Sequence, residues 1–101
     1  MELHVNDDLV ARDATQADIE SAIRGLKING DDSFAILSLY ENSFIQSVFA
    51  DRGYGLEYKK DEDLFGCYDE LGEEDVIRAF VYFLERDERL RTEFTWEQVA
   101  Y

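Results

Sequence analysis

The sequence predicts an α+β fold, in which an antiparallel sheet of four to five strands carries an N-terminal helix and a long C-terminal helix on one face. Two observations support this prediction. Apolar residues recur at helical spacing near both ends of the chain, and the region between them holds strand-length runs rich in aromatic and β-branched residues. A chain of 101 residues has the length of one domain, so we expect residues 1–101 to share one core.

The first helix is predicted from about residue 16 to residue 27. Thr15 can cap it, and Asp18 has the capping-box position three residues on. Gly30 provides the left-handed stop. The residues that fall on one helical face are Ile19, Ala22, Ile23 and Leu26.

Three strands follow in the runs "FAILSLY", "SFIQSVFA" and "YGLEYKK", separated by the turn compositions "ENS" and "DRG". A fourth short strand is predicted at "LFGCY", residues 64–68, and alternation at residues 2–5 permits an edge strand. The first two runs are apolar on both faces, whereas two helices cover one face of a small sheet. The second face must therefore be covered by the C-terminal tail, by another chain or by nothing.

The second helix is predicted to start after Gly72 and to run for about 18 residues, or about 27 Å. Carboxylates in its first turn and arginines near its end both suit the helix dipole. On a helical wheel Tyr82 lies opposite Phe80 and Leu84, which predicts an exposed tyrosine. The tail "TEFTWEQVAY" is too apolar for a free end, so we expect it to fold back.

The net charge narrows the classes of partner. The chain has 24 Asp and Glu against 10 Lys and Arg, a formal charge of -14. Such a surface repels nucleic acid phosphates and anionic lipids, and it attracts a basic protein surface at long range. The sequence therefore predicts a basic protein partner, with no nucleic acid and no membrane. Plain solubility is the alternative explanation of the charge.

Catalytic chemistry has little support in the sequence. A pair between His4 and Cys67 would require the N-terminal strand to lie against the fourth strand, and the acidic loops lack the pattern of a calcium site. Nucleophile elbows, phosphate-binding glycine loops and HExxH helices are absent from the sequence. We expect no enzyme activity, cofactor or metal, and a structural role for Cys67. Without a leader or an apolar span, the expected location is cytoplasmic.

The candidate binding residues combine acidic and tyrosine side chains. The carboxylates between the fourth strand and the second helix exceed what capping requires, and tyrosine suits a surface that is wet at one end. The predicted partner-binding residues are Asp69, Glu70, Glu73, Glu74, Asp75, Tyr54, Tyr58 and Tyr82. The alternative for the acidic residues is a solvated face.

Several segments together resemble a known class of protein. The helix "ATQADIESAIRGL", the strands "SFIQSVFADRGYGLEYKK", the helix "GEEDVIRAFVYFLERDERL" and the ending "TEFTWEQV" look like the small α+β immunity proteins that bacteria encode beside polymorphic or contact-dependent toxins. This resemblance implies a non-enzymatic cytoplasmic protein that binds its own toxin and blocks it. It supplies no particular contact residue.

Three functional hypotheses follow. The first is an acidic binding module, an inhibitor or immunity protein that occludes a basic toxin or nuclease. The second is a homo-oligomeric structural or adaptor protein, a homodimer in its simplest form, that covers the second sheet face with its own copy. The third is an acid-dependent enzyme, for which no residue of the sequence gives support.

Overall fold

The computed structural model describes residues 1–99 and confirms the α+β class. Within these residues it contains one sheet of seven antiparallel strands in the order β2-β1-β3-β4-β5-β6-β7. The strands are β1 (Glu2–Val5), β2 (Asp8–Ala11), β3 (Ser33–Tyr40), β4 (Ser43–Ala50), β5 (Gly53–Lys60), β6 (Asp63–Cys67) and β7 (Glu97–Gln98). The helices are α1 (Gln16–Asn29), α2 (Glu73–Glu85) and α3 (Arg89–Thr92).

Helix α1 has the predicted start and stop. The Asp18 amide donates to Thr15 Oγ1 at 3.3 Å, and the Thr15 amide donates to Asp18 Oδ2 at 2.9 Å, which completes a capping box. Gly30 follows the helix with a φ of 102°, a conformation that side chains with a Cβ rarely adopt. The helix extends two residues beyond the predicted end.

The predicted count of four to five strands is wrong, because short strands extend the sheet on both sides. Strand β2 adds an edge beside β1, so β1 is an interior strand and not the expected edge. The tail folds back as expected and adds the two-residue strand β7 to β6, while Ala100 and Tyr101 lie outside the described residues. Strand β2 is mostly exposed and β7 has only two residues, so both depend on a partner strand that the sequence does not reveal.

The predicted long C-terminal helix is also wrong, because α2 ends at Glu85. Arg86 adopts the left-handed conformation with a φ of 55°. The Arg86 amide then donates to the Phe83 carbonyl at 3.2 Å, and the Asp87 amide donates to the Tyr82 carbonyl at 2.8 Å. These two bonds form a Schellman motif, which normally carries glycine at the left-handed position. With arginine there, the sequence contains no stop signal.

The two faces of the sheet differ in what covers them. Strand register places Leu37, Ile45 and Tyr58 in one row on one face. This face joins the buried residues of α1 and α2 and the tail residue Phe94 in one core. Ten residues of this core are Leu3, Ile19, Ile23, Leu26, Leu37, Ile45, Leu56, Val76, Phe80 and Phe94.

The opposite face, here called the open face, carries Phe34, Ile36, Phe44, Val48 and Glu57. Within residues 1–99 no helix packs on it. Of the three expected ways to cover the second face, the tail is therefore excluded for the described residues, since Phe94 and Trp96 pack on the helix side. Residues 1–99 also contain no helix long and apolar enough to cross a membrane.

Candidate functional site

An apolar groove crosses the centre of the open face. Its volume is about 530 Å³, and Phe34, Ile36, Val48 and Tyr68 provide its large apolar side chains. Val48 retains 39% of its accessible surface and Tyr68 retains 67%. Large apolar side chains left together at a surface usually mark a place where another molecule binds.

A gap interrupts the apolar side chains at Gly55. In the sheet Gly55 pairs with Val48, and Tyr68 lines the same groove just beyond the end of β6. Gly55 contributes no side chain, so the space above it, here called the slot, is left between Val48 and Tyr68. A Cβ atom at Gly55 would lie 3.3 Å from Val48 Cγ1. Glycine inside a strand often marks a close approach by another group, and here that group is the Val48 side chain, which forms one wall of the slot.

A second glycine, Gly66, leaves room for the Tyr68 ring. A Cβ atom at Gly66 would lie 2.8 Å from the Tyr68 hydroxyl oxygen and 2.9 Å from its Cζ atom. The aromatic ring therefore lies directly over the Gly66 backbone. Any other residue at position 66 would force the ring to move.

One carboxylate stands at the end of the slot. Glu57 follows Gly55 by two residues on the same strand and face, and it lines the groove. Gln46 Nε2 donates to Glu57 Oε1 at 2.8 Å across the strand pair. This bond fixes the carboxylate beside the apolar walls. Lys59 is the next residue of β5 on this face, but it does not line the groove.

The predicted residues Asp69 and Glu70 border the other end of the slot. They line a second depression together with Asp51, and this depression shares Val48 and Gly55 with the groove. Both carboxylates are exposed in the loop between β6 and α2. The structure thus brings two of the predicted binding residues next to the open face.

The other three predicted carboxylates have partners within the chain. Arg24 Nη1 of α1 lies 2.7 Å from Glu73 Oε2 and 2.8 Å from Glu74 Oε1. Lys27 Nζ lies 3.3 Å from Glu73 Oε1. These pairs join the two helices, and the hydrogen bond to Glu74 raises the pKa of Arg24.

Asp75 is occupied at the start of α2. Its Oδ2 accepts from the Gly72 amide at 2.9 Å, and its Oδ1 lies 3.4 Å from Arg78 Nη1. Helix capping and the pairs with α1 therefore explain Glu73, Glu74 and Asp75 without a partner protein. The binding role predicted for these three residues stays a prediction.

The tyrosines of β5 face the helices and not the open face. Tyr58 is 8% exposed, and its ring centroid lies 4.5 Å from that of Trp96. Tyr54 is half-buried, and its hydroxyl oxygen is shielded from solvent without a hydrogen-bond partner among residues 1–99. Desolvation raises the pKa of both hydroxyl groups. Tyr58 is therefore not at the surface and Tyr54 is only half exposed, and the binding role predicted for both residues stays a prediction.

The prediction that Tyr82 is exposed is wrong as well. Its residue exposure is 7%, because the chain after Arg86 turns back and covers this side of α2. The Tyr82 hydroxyl donates to Glu93 Oε1 at 2.8 Å, and the Arg89 guanidinium lies 4.8 Å from the ring centroid. The bond to Glu93 raises the pKa of the tyrosine.

The structure does not bring His4 and Cys67 together. Strand β1 and strand β6 are separated by three strands, which puts them about 19 Å apart at the usual strand spacing. Cys67 is 3% exposed on the helix side, and burial raises the pKa of its thiol. Among residues 1–99 there is no group of three or more His, Cys, Asp or Glu placed to hold a metal ion.

The site contains residues that the sequence reasoning did not select. Gly55 lies in β5, whereas Gly66 lies in β6 and Tyr68 follows that strand, and the register of the two strands is a tertiary property. One local signal was available, because a glycine between two tyrosines of a predicted strand suggests a close approach to the backbone. A comparison of the chain with family models, curated proteins and solved structures found no match.

Proposed function

We propose that this protein is a non-enzymatic acidic binding module that recognises a basic protein through its open face. Its role is that of an inhibitor, most specifically a cytoplasmic bacterial immunity protein that occludes a basic toxin or nuclease. One observation carries the proposal: the uncovered apolar groove adjoins exposed carboxylates at its end, where Asp51, Asp69 and Glu70 share a depression with it.

This arrangement has the composition of a protein interface. Interfaces of this kind combine an apolar centre, which loses its water on binding, with a polar rim. The carboxylates and the charge of -14 steer a basic surface toward the face, and the apolar side chains then hold it. The inhibitor blocks its target by covering it, so none of its own residues needs to react.

The alternative is a homo-oligomer that uses the same face. The apolar groove would be buried equally well against a second copy. Two copies would, however, bring two chains of charge -14 together with their acidic rims in proximity. Like-charge repulsion opposes that contact, so a basic partner fits the open face better.

Affinity capture with three matched baits tests the proposal. Val48→Asp puts a charge into the groove, whereas Ile28→Asp makes the same kind of change on α1, where Ile28 is 80% exposed. The baits are incubated with lysate of the native host, and bound proteins are identified by mass spectrometry. We expect wild type and Ile28→Asp to retain the same basic protein and Val48→Asp to lose it.

The captured protein is then purified and assayed for its own activity with increasing amounts of the bait. Complete inhibition at one equivalent is the expected result. Equal capture by all three baits, an acidic captured protein, or full activity in the presence of excess bait would each contradict the proposal. Light scattering of the three baits tests the homo-oligomer alternative. A wild-type dimer that becomes a monomer in the Val48→Asp variant would show that the open face serves self-association.

A further inference from the structure

We propose that the slot over Gly55 binds an arginine side chain of the partner protein, with Glu57 as the carboxylate for its guanidinium group and Tyr68 as the ring on which it stacks. The inference rests on the proposed function, because it names the chemical group by which the open face holds a basic protein. The argument starts from three features of the slot: its walls, its floor and its charge.

The walls suit the aliphatic part of a long side chain. Val48 stands on one side of Gly55, Tyr68 stands on the other, and Phe34 and Ile36 continue the apolar surface. Lysine and arginine both bury their methylene groups along such surfaces while the charged end seeks a polar partner. Two apolar walls alone would also accept leucine or methionine, so the walls do not determine which side chain binds.

The carboxylate at the end of the slot favours a cationic side chain. Glu57 lines the groove, and Gln46 holds one of its oxygens at 2.8 Å, which restricts the direction of the carboxylate. An apolar side chain would remove water from this carboxylate without supplying a hydrogen bond or a positive charge in return, and burying a charge in that way is unfavourable. A cationic side chain satisfies it instead.

The floor and the ring favour arginine over lysine. Gly55 leaves the floor of the slot without a side chain, and the Tyr68 ring, which lies over the Gly66 backbone, is 67% exposed. A planar guanidinium group can stack on a tyrosine ring and donate several hydrogen bonds in its plane at the same time. The ammonium of lysine is compact and strongly hydrated, so it gains less from a flat, partly apolar slot.

The test uses N-acetyl-arginine amide as the probe and the complete protein in a ¹H–¹⁵N NMR titration. N-acetyl-citrulline amide has nearly the same shape without the charge, and N-acetyl-lysine amide has the charge without the plane. We expect saturable shifts of the Gly55, Glu57 and Tyr68 amides with the arginine probe, and at least about fivefold weaker binding of the other two probes.

Three variants tie the binding to the slot. Gly55→Val fills the space over the strand and should abolish the localised shifts, while the dispersion of the spectrum shows that the fold is kept. Glu57→Gln removes the charge, retains an acceptor for Gln46, and should weaken binding at least about fivefold. Glu62→Gln removes an exposed carboxylate from the β5–β6 turn and should leave binding unchanged.

Equal shifts with the arginine and citrulline probes would overturn the inference, as would equal affinity for the lysine probe, localised shifts that survive in Gly55→Val, or no localised shift at all. Failure here differs from failure of the proposed function. If the probe does not bind but Val48→Asp still abolishes capture of a basic protein, the open face is the interface and the arginine slot is wrong. If the probe binds but no basic protein is captured, the slot stands and the inhibitor proposal is wrong.

Discussion

The hydroxyl group of Tyr82 donates a 2.8 Å hydrogen bond to Glu93, and this contact fastens the chain that follows α2 against the side of α2 that a helical wheel leaves to solvent. Tyr82 is 7% exposed and the Arg89 guanidinium lies over its ring. The folded-back tail therefore depends on a buried aromatic residue of α2.

Replacement of Tyr82 by alanine should lower the melting temperature by about 10 °C or more, since large aromatic side chains are the costliest to remove from a core of this size. Tyr82→Phe keeps the ring and removes the bond to Glu93, which still lies 3.3 Å from Arg78 Nε. The phenylalanine variant should therefore lose only a few degrees. Thermal unfolding followed by circular dichroism measures both, and an unchanged melting temperature for the alanine variant would show that this side of α2 is not buried.

Arg86→Gly should stabilise the protein by about 0.5–1 kcal/mol, because glycine adopts the left-handed conformation without the steric penalty that a Cβ atom brings. Arg86 has a φ of 55° at the end of α2. Urea unfolding measures the change. Glu85→Gly is the matched control, since the last helical residue should instead lose about 1 kcal/mol when glycine replaces it. A loss of stability in both variants would contradict the Schellman ending.

Cys67 should react slowly with a disulfide reagent such as Ellman's reagent in the folded protein. Its thiol is 3% exposed, and burial raises its pKa, so less of the reactive thiolate exists at a given pH than in the unfolded chain. The rate should increase sharply in urea, and in the folded protein it should increase only at a pH above that required by a free thiol. Equal rates in the folded and unfolded protein would show that the thiol is accessible.

A substitution at the same position tests whether Cys67 is structural. Cys67→Ala should cost about 1 kcal/mol and leave partner binding intact, as expected for a small buried side chain. Loss of binding in a stably folded variant would instead give the thiol a functional role.

Arg24→Gln should lower the melting temperature by at most about 5 °C at low salt, and the loss should shrink in molar NaCl. Arg24 bridges α1 to Glu73 and Glu74, but its side chain is 44% exposed, so solvent and salt screen the contact. Arg12→Gln removes the same charge from an exposed position in front of α1 and serves as the control. A loss that persists at high salt would show that packing, not charge, dominates the contribution of Arg24.

The parts of the fold that the sequence predicted correctly depend on local interactions. Helix α1 carries its cap, its apolar stripe and its glycine stop within the sixteen residues from Thr15 to Gly30, and the strands β3 to β5 each span eight residues with strong strand composition. The errors arose where contacts between residues far apart in the sequence determine the secondary structure. Strands β2 and β7 form only because β1 and β6 offer an unpaired edge. Helix α2 ends before Arg86, although arginine is not a residue type that usually ends helices.

The candidate site was predicted only in part for the same reason. The sequence showed that the second face of the sheet is apolar, and it selected Asp69 and Glu70, which border the groove. It also selected Tyr58 and Tyr82, because a wheel or an alternation shows which residues share a face but not what the chain later folds over that face. The Tyr68 ring can lie over Gly66 only because β6 ends just before Tyr68 and because Gly66 has no side chain. Helical or strand periodicity does not reveal such an arrangement.

The connection of the strands also determines how the sheet assembles and opens. Strands β3 to β6 are consecutive in the chain and adjacent in the sheet, and two-residue turns join them, so their pairing closes only short loops. Strand β1 instead pairs with β3 across the whole of α1, a much longer loop, so we expect the β1–β2 hairpin to join the sheet after β3 to β6 and to open more readily than they do. Its amide hydrogens should consequently exchange with solvent before those of β4 and β5. The slot over Gly55 lies on the strands that stay closed longest, so a partner would meet a preformed surface and would not have to order it.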